Sequence, residues 1–240
     1  MKINSIPKQK ITLITILMLW IGLTTFSHAQ RDSTVIESSS QPTGLSDSME
    51  MAVSDADSVP YVLDRVIPNE AFQVGEKLTF VVRYGIIKAG EATMEVEGIV
   101  PMADREAFKV VSKAKSARVF DLFFKVRDQV ESWVDTQGIF SWKFNKILRE
   151  GGFKFDLIVD YDQLNGKASV QSIRYEDSEP LQIRDQHEKI IDIPPYVLDI
   201  LASFYYVRTQ DLELGMPLYL TNHDNEKIYD LKVIVQKREV

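Results

Sequence analysis

The chain contains no cysteine, which excludes disulfides, thiolate-bound zinc, iron–sulfur clusters and thiol nucleophiles together. Histidine is scarce, with three in 240 residues. The two beyond the N-terminal stretch, His187 and His223, show no His-x-x-x-His or similar metal-ligand spacing. No Gly-x-Ser-x-Gly elbow surrounds Ser132 or Ser203, the two serines in strongly patterned segments. The glycines at 85, 90, 151 and 152 match neither the P-loop nor the dinucleotide pattern. No cofactor, metal or catalytic residue is expected on these grounds. Positive charge is also in deficit, with 28 lysines and arginines against 35 acids. That balance argues against nucleic acid, because phosphate binding needs a basic stripe. Finally, the longest apolar run, Ile11 to Phe26, has 16 residues, fewer than the roughly 20 needed to span a bilayer core.

What is present begins with an export signal. Lys2, Lys8 and Lys10 precede that apolar run, and Ser27-His28-Ala29 places small residues at the −3 and −1 positions for cleavage between Ala29 and Gln30. Residues 1–29 therefore read as a cleavable signal peptide, with an uncleaved anchor as the alternative, and the expected location is the periplasm. Cleavage would leave no stable membrane span and a formal charge of −10 rather than −7. Residues 30–60 carry one arginine, six acids and many serines. Such a stretch buries too little to offset chain entropy and is expected to be a disordered acidic linker.

Residues 61–240 form the expected folded domain, and its text is β-rich. Leu78, Phe80, Val82 and Tyr84 alternate with polar neighbours, as do Ala92, Met94 and Val96, then Phe108, Val110 and Ser112. Strand-like segments follow at Val126–Asp135, Ile139–Arg149, Phe153–Tyr161 and Ala168–Tyr175. Asn165-Gly166 predicts a type I′ hairpin, and Gly85 and Gly90 bracket a reversal or bulge. Short turns at roughly ten-residue spacing imply an antiparallel meander. Arg118–Lys125 is too crowded with aromatics for a solvated loop and predicts a short helical turn. After Pro194-Pro195, Val197, Leu198, Leu201, Phe204, Tyr205 and Arg208 recur at three- and four-residue steps, predicting a helix of about three to four turns. The expected fold is mainly β (α+β): a curved antiparallel meander or open half-barrel with one long helix packed across it. The last strand, Asp230–Val240, has no turn after it, and the expectation is that the domain continues past the sequence.

Several motifs resemble an exported bacterial family catalogued as domain of unknown function 3108. They are Phe72…Val74-Gly75-Glu76…Leu78…Phe80, Tyr84-Gly85…Ile87…Ala89-Gly90-Glu91-Ala92, Phe120-Asp121…Phe123-Phe124-Lys125-Val126-Arg127-Asp128…Glu131-Ser132, the Glu150-Gly151-Gly152 step, and Pro195…Val197…Asp199…Leu201…Ser203-Phe204-Tyr205-Tyr206. The resemblance covers about Phe72 to Val240. It implies a periplasmic, β-rich protein that usually extends beyond this point, and it carries no catalytic residue to transfer.

The residues singled out for binding are Arg127, Glu131, Trp133, Phe124, Phe204 and Tyr205. In a strand, Arg127, Gln129 and Glu131 face one way and Asp128, Val130 and Ser132 the other. This segment has two readings: a polar cluster in a cleft, with Arg127 on an anionic head group and aromatics around an apolar body, or solvated cross-strand ion pairs beside an aromatic core plug. The helix face of Tyr196, Phe204, Tyr205 and Tyr206 is either core packing or the lid of an apolar cavity. His223 is expected in a hairpin turn at Asn222–Asn225, and His187 in a polar loop at Arg184–Glu188. Three functions follow in order: a non-enzymatic carrier of a lipid or other amphiphile, an envelope scaffold without a ligand cavity, and a hydrolase of envelope polymers. The sequence does not fix the oligomeric state.

Overall fold

A computed structural model describes residues 60–102 and 104–237. The expected signal peptide and all but the last residue of the expected linker lie outside the described residues. The described residues up to Gln236 belong to one compact unit.

Eight strands run in strict sequence order as an antiparallel meander: β1 (Lys77–Tyr84), β2 (Ile87–Met102), β3 (Arg105–Ser116), β4 (Arg127–Asp135), β5 (Ser141–Glu150), β6 (Phe153–Asp162), β7 (Lys167–Tyr175) and β8 (Ile183–Asp192). The sheet is open, since β1 and β8 are not paired with each other. A two-stranded hairpin, β9 (Pro217–Asp224) and β10 (Lys227–Ile234), forms a separate sheet. The last strand thus pairs with the one preceding it.

Alternation assigns the two faces. Ala92, Met94, Val96, Val110, Val130, Val134, Phe144, Leu157, Val159 and Val170 are buried on one side. On the other, Lys77–Glu95, Lys109–Glu97, Lys143–Asp160 and Lys167–Asp192 form a ladder of cross-strand ion pairs at 2.6–3.1 Å. Such exposed pairs contribute roughly 0–1 kcal/mol each, so their main effect is to keep this outer face wet. Edge strand β8 is blunted by exposed Arg184, Asp185, Glu188 and Lys189, which discourages edge-to-edge pairing.

The inner face is covered by α2 (Ile200–Arg208), by Val197–Leu198 and by the β9–β10 hairpin. The helix is shorter than its periodicity suggests, at nine residues. Tyr196 has φ +62, and Val197 and Leu198 are buried and extended. Their backbone groups bond to Ser141, Thr221 and His223, so the apolar steps at Val197 and Leu198 belong to strand-like pairing. Asp199 then caps the helix, accepting from the Leu201 and Ala202 N–H groups at 2.8 and 2.9 Å. Its other oxygen accepts from Ser132 and Ser141 at 2.6 and 2.7 Å. One carboxylate therefore caps the helix and fastens it to β4 and β5.

The two ends of the meander differ. At the end holding the β4–β5 and β6–β7 turns, residues 60–72 wrap across as a strap. The Tyr61 N–H bonds Leu164, the Ile67 N–H bonds Gln137, and the Tyr196 hydroxyl donates to the Val62 carbonyl. Arg65 lies 4.3 Å over the Tyr196 ring and donates to the Gly138 and Ile139 carbonyls. Arg208 forks onto Glu76 at 2.6 and 2.7 Å and reaches the Ala71 carbonyl. The β6–β7 connection is a four-residue turn, Gln163–Gly166, with positive φ at Gly166 and not at Asn165. The expected two-residue I′ turn is replaced because the Gln163 side chain turns inward and donates to the Ser141 and Val197 carbonyls.

The opposite end carries the β1–β2, β3–β4, β5–β6 and β7–β8 connections. Gly85 opens the β1–β2 turn at φ +59, a conformation glycine takes without a Cβ clash. The expected short helical turn is α1 (Arg118–Asp121). It is not a core plug, because Val119, Leu122, Phe123 and Phe124 are exposed. Gly151, between β5 and β6, has φ +54, and a Cβ there would lie 2.9 Å from Phe124 Cε2. Gly151→Ala is expected to cost about 1–3 kcal/mol of stability through backbone strain and this clash. Urea denaturation checks this, and a change below ~0.5 kcal/mol would contradict it.

Candidate functional site

The six residues selected from sequence fall in three places. Arg127 and Phe124 lie at the open end, where Arg127 is held by Asp121 at 2.6 and 3.1 Å. Glu131 and Trp133 lie on the outer face. Glu131 takes a bond from Gln129 at 3.0 Å and sits 3.9 Å from Lys109, while Trp133 has Lys109 and Lys143 each 6.0 Å from its ring. Phe204 and Tyr205 lie on α2, with Tyr205 fully buried against Phe72 at 4.5 Å and its hydroxyl unpartnered. The structure does not bring the six together. The faces read for β4 are correct, and the residues sharing the inner face with Asp128 are the ones that converge.

That convergence runs across four strands, β4 to β7, on the open-end half of the inner face. Asp128 in β4 and Glu150 in β5 are both buried and face each other within hydrogen-bonding reach. Burial, reinforced by the Asp128 charge and by their mutual hydrogen bond, pushes Glu150 up to about 7. Burial raises Asp128 as well, against the pull of the Arg149 backbone N–H, which donates to it at 2.8 Å, and of Glu150. Two like charges in such a place cannot both ionise readily, so the pair holds a shared proton near neutral pH.

Next to the pair the surface becomes aromatic. Phe153 is the cross-strand partner of Glu150, and Phe155 is the partner of both Leu148 and Arg174. The two rings lie 6.0 Å apart. The Arg174 guanidinium sits 3.6 Å from the Phe153 ring centre, a cation–π arrangement. Its Nη1 is buried with no hydrogen-bond partner. An arginine nitrogen shielded from water without an acceptor is a costly arrangement that an anionic group would relieve. The strip therefore offers a proton-sharing carboxyl pair, two phenyl rings and one under-satisfied cation.

The two histidines differ from their sequence-based placements. His187 is an exposed residue of β8, 3.6 Å from Glu226. His223 is not in a turn but is buried in β9, where its Nδ1 bonds the Tyr161 hydroxyl at 2.9 Å. Burial pushes its imidazole down to about 4. Local turn chemistry suggested a hairpin at Asn222. The reversal occurs two residues later because Leu198 pairs with Asn222 and keeps the strand extended. Among the described residues, no group of three or more histidines or acids could hold a metal ion. Nor is any helix among them long and apolar enough to cross a membrane.

Alternation alone could have found the pair: Asp128 shares parity with Val130 and Ser132, and Glu150 with Phe144 and Leu148. The register that sets one carboxyl against the other passes through a shift at Trp133/Val134, which no local pattern announces. Comparison with known proteins finds no curated protein and no solved structure that matches. Residues 79–240 match the family model described as "Protein of unknown function (DUF3108)", and the chain belongs to that family.

Proposed function

We propose that this is a non-enzymatic binding or carrier protein, exported to the periplasm, whose inner sheet face holds an amphipathic molecule of the cell envelope such as a lipid. The observation that carries this reading is the buried, unpartnered Arg174 nitrogen beside Phe153 and Phe155. A cation with one unpartnered nitrogen favours an anionic head group, and adjacent rings take the start of an acyl chain. The Asp128–Glu150 pair, carrying one proton, supplies a further donor to the head group without a full second negative charge.

The hydrolase reading has less support. Carboxyl pairs that cleave glycosides stand several ångströms apart to admit a sugar oxygen or a water, whereas Asp128 and Glu150 are buried and close enough for each to shift the other's titration. A scaffold without a ligand would have the cation–π contact with Phe153 to set against the unpartnered Arg174 nitrogen.

The test is native mass spectrometry with lipid extraction on the mature protein from its own envelope, alongside fluorescence titration with a dansyl-labelled dodecanoate. Binding is expected in the wild type, and Arg174→Gln is expected to weaken the probe about tenfold, or ~1.4 kcal/mol. A clean apo mass together with no saturable probe binding would sink the carrier reading and favour the scaffold.

A further inference from the structure

The three adjoining connections at the open end form an apolar knob that nothing in the described structure covers. Ile86, Phe123 and Leu122 are 95%, 86% and 82% exposed, and Tyr84 at the end of β1 and Val119 and Phe124 in the β3–β4 connection are also exposed. Isolated exposed apolar residues are ordinary, but a contiguous group is not.

This knob is held, not loose. The Ala117 N–H bonds the Ala89 carbonyl and the Gly151 N–H bonds the Lys125 carbonyl, each at 2.8 Å, so the β3–β4 connection is tied to both neighbours. Phe124 closes over Gly151. Asp121 accepts from Arg127 and from the Ser116 hydroxyl, which in turn accepts from the Val126 N–H at 2.8 Å. Leu122 and Phe123 point outward from a braced base.

Charge tells what would cover it. Residues 83–88 and 117–127 carry Arg83, Lys88, Arg118, Lys125 and Arg127; Lys88 is paired with Glu91 and Arg127 with Asp121, and Arg83, Arg118 and Lys125 lie beside them. The chain as a whole is at −7. Cations thus outnumber acids around the apolar knob, whereas the β7–β8 connection of the same end carries Glu176, Asp177 and Glu179. An anionic surface would attract the β1–β2 and β3–β4 corner and repel the β7–β8 side, fixing one orientation.

We propose that the β1–β2 and β3–β4 corner of the open end docks on the surface of an anionic phospholipid bilayer, with Leu122, Phe123 and Ile86 entering the headgroup–acyl boundary and the surrounding lysines and arginines pairing with lipid phosphates. Apolar tips rimmed by Lys and Arg suit an interface of this kind. This inference goes beyond the carrier reading, and it is also consistent with it: the β5–β6 turn joins Glu150 and Phe153 of the inner-face strip and lies under Phe124.

The test is flotation of the mature protein with vesicles of phosphatidylglycerol and phosphatidylethanolamine, compared with vesicles of phosphatidylcholine alone. Wild type is expected to float with the anionic vesicles only, and less so as salt is raised. The double variant Leu122→Asp/Phe123→Asp is expected to lose at least about tenfold in partitioning with an unchanged melting curve and unchanged dansyl-dodecanoate binding. Arg118→Glu/Lys125→Glu is expected to lose anionic selectivity. Conversely, Arg174→Gln should float normally, so a failure of the carrier reading leaves this result standing. Equal flotation of the Leu122/Phe123 variant, or no flotation of the wild type, would overturn the proposal. Loss of a self-associated species in that variant without any vesicle binding would overturn it too, in favour of a second copy of the chain.

Discussion

Replacing Asp135 with alanine is expected to lower the free energy of unfolding by about 3–5 kcal/mol, the range for stranding one member of a buried, hydrogen-bonded ion pair. Asp135 is fully buried at the end of β4. It accepts from Arg105 Nε at 2.6 Å and Nη2 at 2.8 Å, from the Trp142 indole at 3.0 Å, and from the Gln137 and Gly138 backbone N–H groups at 3.0 and 2.6 Å. Five donors thus converge on one carboxylate, and they belong to β3, β5 and the β4–β5 turn. That turn contains Ile139 at φ +49, an outlier for a β-branched residue that the surrounding bonds must sustain. Arg105 also donates to the Leu63 carbonyl at 3.3 Å, so losing its partner loosens the strap.

The pH dependence of this hub has a definite sign. Burial alone would raise the Asp135 carboxyl, but Arg105, the Gly138 N–H and Trp142 outweigh it and hold it below the ordinary value of 3.8. A depressed carboxyl contributes stability that is present above the ordinary value and is lost as pH falls through the folded one. Guanidinium denaturation of Asp135→Ala, Arg105→Ala and the double variant measures the effect. The double variant should lose less than the two singles together, because each single already breaks the same pair. A loss below ~1 kcal/mol for Asp135→Ala would show that the hub is not what holds this end closed.

Much of the fold is written in the alternation, because a sheet with one wet face must repeat every two residues. The faces of β1 to β4, the short α1 and the Gly151-Gly152 reversal follow from that pattern and from glycine's permissive backbone. What fails is local reasoning applied where long-range pairing decides. Val197 and Leu198 fit a helical period, but their backbone groups are bonded to β5 and β9. His223 sits among good turn formers, yet the Tyr161 hydroxyl and the Leu198 carbonyl hold it in a strand. Phe123 looks like core because it is apolar, and only the three-dimensional end of the meander reveals that it has no core to enter. The carboxyl pair and Arg174 come from strands whose mutual register depends on bulges, so their meeting could not be read from any one segment.

The pair itself offers the sharpest chemical test. Glu150 rises from 4.5 to about 7 on folding, through burial first and then through Asp128. A raised group contributes stability fully below its unfolded value and loses it as pH climbs through the folded one. Between about 4.5 and 7 the folded state holds an extra proton, so this group lowers stability by about 1.4 kcal/mol per pH unit, or on the order of 2–3 kcal/mol across the window. The raw stability curve will not display that slope. His223, pushed by burial from 6.5 down to about 4, leaves the unfolded state holding the extra proton over much of the same range, and its contribution runs the other way. The difference between wild type and Glu150→Gln cancels the histidine. That difference should fall steadily from pH 5 to pH 7, with the glutamine variant ending more stable than wild type by roughly 1–2 kcal/mol at pH 8. Asp128→Asn should flatten the same difference by removing the neighbouring charge. The dansyl-dodecanoate probe should follow the proton, binding more weakly above pH 7, where the ionised pair repels an anionic head, and this loss should be absent in Glu150→Gln. A difference curve with no slope between pH 5 and pH 7 would mean that Glu150 and Asp128 do not share a proton, and the inner strip would then rest on Arg174 alone.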